Sequence, residues 1–184
     1  DVFRSQFPLQ TIINPCLVSD ELNSLISMAE QSGREYYERW EFLNSYSGCM
    51  LGNPALSVLA DAYVKGIRTY DAEKAYRYAV NTSRHFGNDS LGYIPEPLSI
   101  STTLEYAYTD WCISQVAQAM GKNEDARYFY EKGQAYHNIF DKEKGWFRPR
   151  KADGSWVAWP ENARLKEWYG CIEANSYQQG WFVP

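Results

Sequence analysis

The stretch TTLEYAYTDWCISQVAQAM, residues 102–120, decides the fold. Leu104, Tyr108, Trp111, Cys112, Val116 and Ala119 recur along it at steps of three, four or one, the spacing that gathers side chains on one helical face. Thr102 with Glu105 reads as a capping box, which is a sufficient local reason for an acid at that position. Gly121 ends the helix, and Asn123 follows as the cap of another, running from Asp125 to Phe140 and carrying Tyr128, Tyr136 and Ile139. So short a connection folds two helices into an antiparallel hairpin.

The same grammar extends toward the N-terminus. Asp71 caps a helix through Ala72, Ala75, Tyr76 and Ala79, ending before Gly87. Asn53, with Pro54 at the favourable first helical position, starts another along Leu56, Leu59, Ala60 and Tyr63, stopped by Gly66. Ser19 or Asp20 caps a helix with Leu22, Leu25, Ile26 and Ala29 on one face, closed by Gly33. Val2, Phe3, Leu9, Ile12 and Ile13 suggest a first helix, bent or broken at Pro8 and ended by Asn14-Pro15. Residues 34–52 show no clean period and read as a long loop carrying Trp40, and 87–100 form a second long loop rich in Gly and Pro. Beyond Gly145 the chain reads as a hairpin or irregular loop with a turn at Asp153-Gly154, and the final EANSYQQGWFVP begins like a helix.

The fold class is therefore all-α. Long and short connections alternate, which gathers the long loops at one end of the helices, where sites are commonly built. That is the pattern of a helical toroid or of helix-pair repeats. The hairpin helices near Asp71 and Asp125 lie too far apart for a tetratricopeptide array, whose period is about 34.

Composition narrows the function. With 184 residues and 45% hydrophobic content, the chain is one domain or a large piece of a bigger one. Aromatics reach 16%, including seven Trp and fifteen Tyr, whose apolar bodies and polar tips suit a core opening onto a wet, ring-binding cleft. A net charge of −5 and the absence of a Lys/Arg block exclude nucleic acid as a partner. No apolar run approaches the roughly 18 residues of a membrane span. The chain opens on Asp1 rather than Met, which leaves room for a removed leader. Cys16, Cys49, Cys112 and Cys171 have no metal-binding spacing and fit either reduced thiols or two bridges.

Chemistry must come from few residue types. His85 and His137 both sit near helix C-termini, where a cation is mildly favoured, and read as structural. No phosphate loop or dinucleotide glycine motif occurs. Carboxylates, amides and aromatic rings remain, the set that glycosidases use to protonate a leaving oxygen, activate water and hold a sugar. Two carboxylates stand out, Glu105, for which the capping box is the structural alternative, and Glu173; Asp110, a turn and a half beyond Glu105, reads as solvated. Glu173 follows a loop dense in Trp146, Trp156, Trp159 and Trp168, and precedes Asn175 and Gln178, which can share its side of a helical turn. An acid among rings is desolvated, which raises its pKa toward that of a general acid. The alternative is a first-turn Glu favoured by the helix dipole.

Four blocks resemble one known family: DVFRSQFPL (1–9), CMLGNPALSVLADAYVKGI (49–67), GYIPEPLSISTTLEYAYTDWCISQVAQAMGK (92–122) and EANSYQQGWFVP (173–184). Together they resemble glycoside hydrolase family 92, the calcium-dependent, inverting exo-α-mannosidases. The resemblance implies an N-terminal β-sandwich followed by an (α/α)6 toroid. Residues 1–184 would then be a partial catalytic toroid, lacking the β-sandwich and the C-terminal part of the toroid. Those missing parts of its own polypeptide would carry the general-base aspartates and most of the calcium (Ca2+) ligands. By the same resemblance Glu173 matches the acid of an E-G-N-x-W-Q-Y motif and would protonate the glycosidic oxygen, while Asn175 and Gln178 match its amides. Asp1 and Arg4 match a block lining the terminal-mannose subsite, and Trp40 matches an aromatic that stacks on sugar. Ala174, Tyr177 and Gln179 depart from the motif's Gly, Trp and Tyr, and leave the carboxylate and amides intact.

The expectation that follows is a secreted or periplasmic exo-α-1,2-mannosidase. It would trim a mannose-containing glycan with inversion, its two carboxyls about 6.5–9.5 Å apart to admit water. The isolated chain would be inactive. Two rivals stand beside it: a non-catalytic helix-pair scaffold with an exposed groove for a protein partner and no sugar affinity, and a toroid glycosidase acting on glucose or uronic sugars.

Overall fold

A computed structural model of the chain describes residues 2–43, 45–87 and 90–182. After a single 3-10 turn, Val2–Arg4, the helices are α1 (Gln6–Ile13), α2 (Pro15–Gln31), α3 (Pro54–Val64), α4 (Ala72–Phe86), α5 (Ser99–Ala119), α6 (Asn123–Gly133) and α7 (Ser176–Gln179). Two antiparallel ribbons complete it: β1 (Glu41–Phe42) with β2 (Ser45–Tyr46), and β3 (Phe140–Asp141) with β4 (Trp146–Phe147). The first ribbon lies inside the segment read from sequence as loop. Among the described residues no helix is long and apolar enough to cross a membrane.

α5 organises the rest. Ile100, Leu104, Ile113, Val116 and Ala117 are fully buried, and burial runs round its whole circumference, as in a helix enclosed by others. It packs against α3, α4 and α6. On one side Leu22, Leu56, Tyr78, Ile113, Val116 and Phe129 form the larger core; on the other Tyr93, Ile100, Leu104, Ile139 and Phe147 form a smaller one. Asp110, expected in solvent, is buried. It pairs with Lys132 of α6 at 3.6 Å and accepts a hydrogen bond from Ser83 of α4, tying three helices together.

Several helix starts differ from the sequence reading, each for a local reason. Asn14 does not merely end α1. Its side-chain oxygen accepts from the Leu17 N–H at 3.4 Å, and Pro15 takes the first position of α2. Ser19, expected as a cap, lies inside α2, where its buried hydroxyl bonds that of Thr69. α1 runs through Pro8 unbroken because Pro8 falls in its first turn, where backbone N–H groups have no partner within the helix. Asp71 caps α4 as expected, accepting from the Lys74 N–H at 3.0 Å. Asn53 occupies the cap position of α3 without making the side-chain bond.

α5 starts at Ser99, three residues earlier than the capping-box reading, because the Gly170 carbonyl accepts from the N–H groups of Ile100 (2.9 Å) and Ser101 (3.1 Å). Thr102 and Glu105 are therefore inside the helix, and capping does not explain Glu105. α6 is shorter than expected. It begins at Asn123 with Lys122 as cap residue and gives way after Gly133 to a 3-10 segment, Gln134–Ile139. A Cβ on Gly133 would lie 3.0 Å from Cβ of Trp111, so the missing side chain lets α6 close on α5.

His85 stacks on Tyr36 with centroids 4.1 Å apart, and His137 packs on Tyr136, both structural roles. All four cysteines are free thiols; burial pushes Cys112 and Cys171 up to about 12, so neither is a ready thiolate. The turn at Asp153-Gly154 is present, with Lys151 N–H donating to Ser155 O across it.

Candidate active site

A cavity of about 450 Å3 opens where the long loops meet the start of α5, bordered by Arg4, Arg39, Trp40, Asn53, Glu105 and Glu173. Five separate segments supply these side chains. Arg4 comes from the N-terminal 3-10 turn, with its guanidinium 4.4 Å from the Phe182 ring centroid, a cation–π contact that fixes its course. Trp40 stands on the loop before β1, 60% exposed, its indole presented at the rim. Its carbonyl accepts from the N–H (3.2 Å) and hydroxyl (2.6 Å) of Ser47, closing the loop behind it.

Glu173 and Glu105 both depend on α5. Ile172 N–H donates to the Ser101 hydroxyl of α5 at 3.1 Å, and Gly170 bonds the first turn of α5 through its carbonyl. Gly170 must be glycine: at φ 72°, a Cβ there would meet Pro149 at 2.8 Å and Ile100 at 3.1 Å. The segment so anchored delivers Glu173 to the cavity at φ 50°, a left-handed conformation unusual for a residue with a side chain. Met50, also on the cavity, has φ 57°. Strained backbone of this kind gathers at functional sites.

Glu173 is exposed at the cavity, and its setting differs from the expected one. It is neither in a helical turn with Asn175 and Gln178 nor enclosed by indoles. Trp146 packs instead against Tyr177 and Trp181 and donates from its indole N–H to the Ser176 carbonyl at 3.0 Å. Asn175 and Gln178 cap α7 reciprocally: Asn175 Oδ1 accepts from Gln178 N–H at 3.0 Å, and Gln178 Oε1 accepts from Asn175 N–H at 3.1 Å. Their carbonyl oxygens are thus committed to backbone. Gln178 borders, with Arg4, a smaller neighbouring recess. Asp1 lies outside the described residues.

Glu105, the other carboxylate that stands out in the sequence, borders the same cavity. It is half-buried on α5, and burial pushes its pKa up to about 7, with the positive charges of Arg4 and Arg39 pulling the other way. Arg39 and Asn53 were missed as cavity residues.

Among the described residues no three His, Cys, Asp or Glu side chains gather as a metal site.

The model of the family described as "Glycosyl hydrolase family 92 catalytic domain" matches residues 1–184. The family GH92 alpha-mannosidase BT3965 from Bacteroides thetaiotaomicron superimposes with a TM-score of 0.90 at 31% identity, over 100% of this chain and 26% of that one. The same relative has been solved in complex with mannoimidazole. The family GH92 inverting mannosidase BT2199 from the same species gives a TM-score of 0.88 at 31% identity, over 96% of this chain and 26% of that one. An uncharacterized secreted glycosidase of Arthroderma benhamiae is 30% identical over 142 residues, 57% of this chain and 18% of the relative. The chain therefore spans about a quarter of the length of the solved relatives, and less of the fungal one.

Proposed function

The chain belongs to glycosyl hydrolase family 92, its fold forming part of an (α/α)6 toroid, and from that premise we propose that it is the part of an exo-α-mannosidase catalytic domain that carries the proton donor. One observation supports this reading above the others: Arg4, Trp40 and Glu173, distant in sequence, border a single cavity. A terminal mannose of a glycan would sit there with a ring face on Trp40 and hydroxyls toward Arg4 and Asp1. Glu173 would protonate the departing glycosidic oxygen. A base outside this chain would activate water on the opposite face, giving inversion. Asn175 and Gln178 would act by holding the turn after Glu173 while presenting their free amide N–H groups to the sugar. Selectivity for an α-1,2 linkage belongs to the same proposal.

The remainder of the toroid and the β-sandwich would come from other parts of the same polypeptide. Calcium would be held mainly by those parts. A secreted or periplasmic location is proposed on the same footing, with the secreted fungal relative in support.

The test is Glu173→Gln in the full-length protein. General acid catalysis supplies about 10²–10⁴-fold. The variant is therefore expected to lose about that factor on a mannobiose, whose leaving group needs a proton, and far less on an aryl α-mannoside whose leaving group departs unaided. Equal losses on both substrates would refute the assignment. The 184-residue chain alone is expected to release no mannose, in calcium or without it; measurable release would overturn the view that the base lies elsewhere.

A further inference from the structure

Glu105 has no role in the scheme above, yet three features of its surroundings call for one. First, the helix that bears it is otherwise enclosed, and capping does not account for an acid there. A carboxyl on such a helix costs stability unless something bonds to it. Second, the loop opposite is built to leave its oxygen clear. Gly52, buried and at φ 86°, approaches so closely that a Cβ would lie 2.0 Å from Oε2 of Glu105. Third, the neighbouring Asn53 is only 4% exposed, and its Oδ1 has no hydrogen-bond partner. It borders the same cavity without capping the helix it precedes.

Glu105 and Asn53 thus present acceptor oxygens on the inner wall, while Trp40 and Glu173 stand at the more exposed rim. An acceptor-rich wall needs a ligand that brings several donors, and a hydroxylated ring does. Resting on the mannosidase reading, we infer that Glu105 is a further substrate-binding residue, its carboxylate accepting a hydrogen bond from a ring hydroxyl of the mannose seated between Trp40 and Glu173. Arg4 and Arg39 keep an anion there tolerable, and a ring hydroxyl supplies the donor that Asn53 Oδ1 lacks. Asn53 Oδ1 accepts from an adjacent hydroxyl of the same ring.

The experiment compares the full-length wild type with Glu105→Ala and Glu105→Gln, using an aryl α-mannoside and its 2-, 3-, 4- and 6-deoxy analogues. Sites built to bind a hydroxyl lose heavily when either partner is removed. We expect Glu105→Ala to lower kcat/KM about 100-fold on the parent mannoside and Glu105→Gln about 10-fold, mostly through KM. One deoxy analogue is expected to be turned over by Glu105→Ala as well as by wild type, because the bond it lacks is the one the variant has lost. Uniform losses across all analogues would mean a merely structural role and would overturn the inference, as would losses under threefold. Should Glu105→Ala not fold, the isosteric Gln variant gives the same discrimination on the same analogues. Wild-type turnover of the parent mannoside separates the two readings: without it the mannosidase proposal and this inference both fall, and with it only the role of Glu105 is at stake.

Discussion

At the scale of single residues, the proposed site rests on two carboxyls with opposite surroundings. Glu173 is exposed at the rim, while Glu105 is drawn into α5 and titrates near 7 against an ordinary value of 4.5. Because the fold favours the neutral form, Glu105's contribution to stability is fully present below about pH 4.5 and is lost as pH rises through about 7. Thermal melts of wild type and Glu105→Gln should therefore diverge, with the wild-type Tm falling relative to the variant across that interval. Parallel curves would show that the carboxyl is not held as described. The convergence of Arg4, Trp40 and Glu173 on one cavity follows blocks that were legible in the sequence. Glu105 stands out there too but leans toward a capping role, because a Thr-x-x-Glu at a helix start and a Thr-x-x-Glu one turn inside look alike. Only the Gly170 carbonyl, seventy residues downstream and invisible to local pattern, decides between them.

At the scale of elements, α5 is both the centre of the core and the mount of the site. Leu104 and Ile113 are fully buried on it, facing different clusters. Truncating either to Ala should cost about 2–5 kcal/mol in chemical denaturation, and a loss below 1 kcal/mol would contradict the enclosed packing. Asp71→Ala, removing the bonded cap of α4, should cost about 1 kcal/mol. The same change at Asn53 should cost less, since no capping bond is lost. Helix existence was readable from the three-to-four periodicity of Leu56, Leu59, Ala75, Ala79 and Leu104. Helix ends were less so. The break at Gly133 and the start of α2 at Pro15 depend on what packs outside the helix or on a cap chosen among Asn14, Ser19 and Asp20, three residues of equal local merit.

At the scale of the whole molecule, the chain is one family-92 piece spanning about a quarter of its solved relatives. α1 shows what that means physically: Leu9, Ile12 and Ile13 are 55%, 74% and 67% exposed. Prepared alone, such an apolar row is expected to drive self-association, visible as a rise in sedimentation coefficient with concentration and abolished by Ile12→Lys with Ile13→Glu. A concentration-independent monomer would show that the row is tolerated in water.

The suspension of residues 170–172 from the first turn of α5 sets the order in which heat acts. Three hydrogen bonds, from Ile100, Ser101 and Ile172, register one acid against the other, whereas the helices are held by two broad apolar clusters. A slender tether loosens before a packed interior does, so on warming the proposed mannosidase activity would fall silent while circular dichroism still reported intact helices.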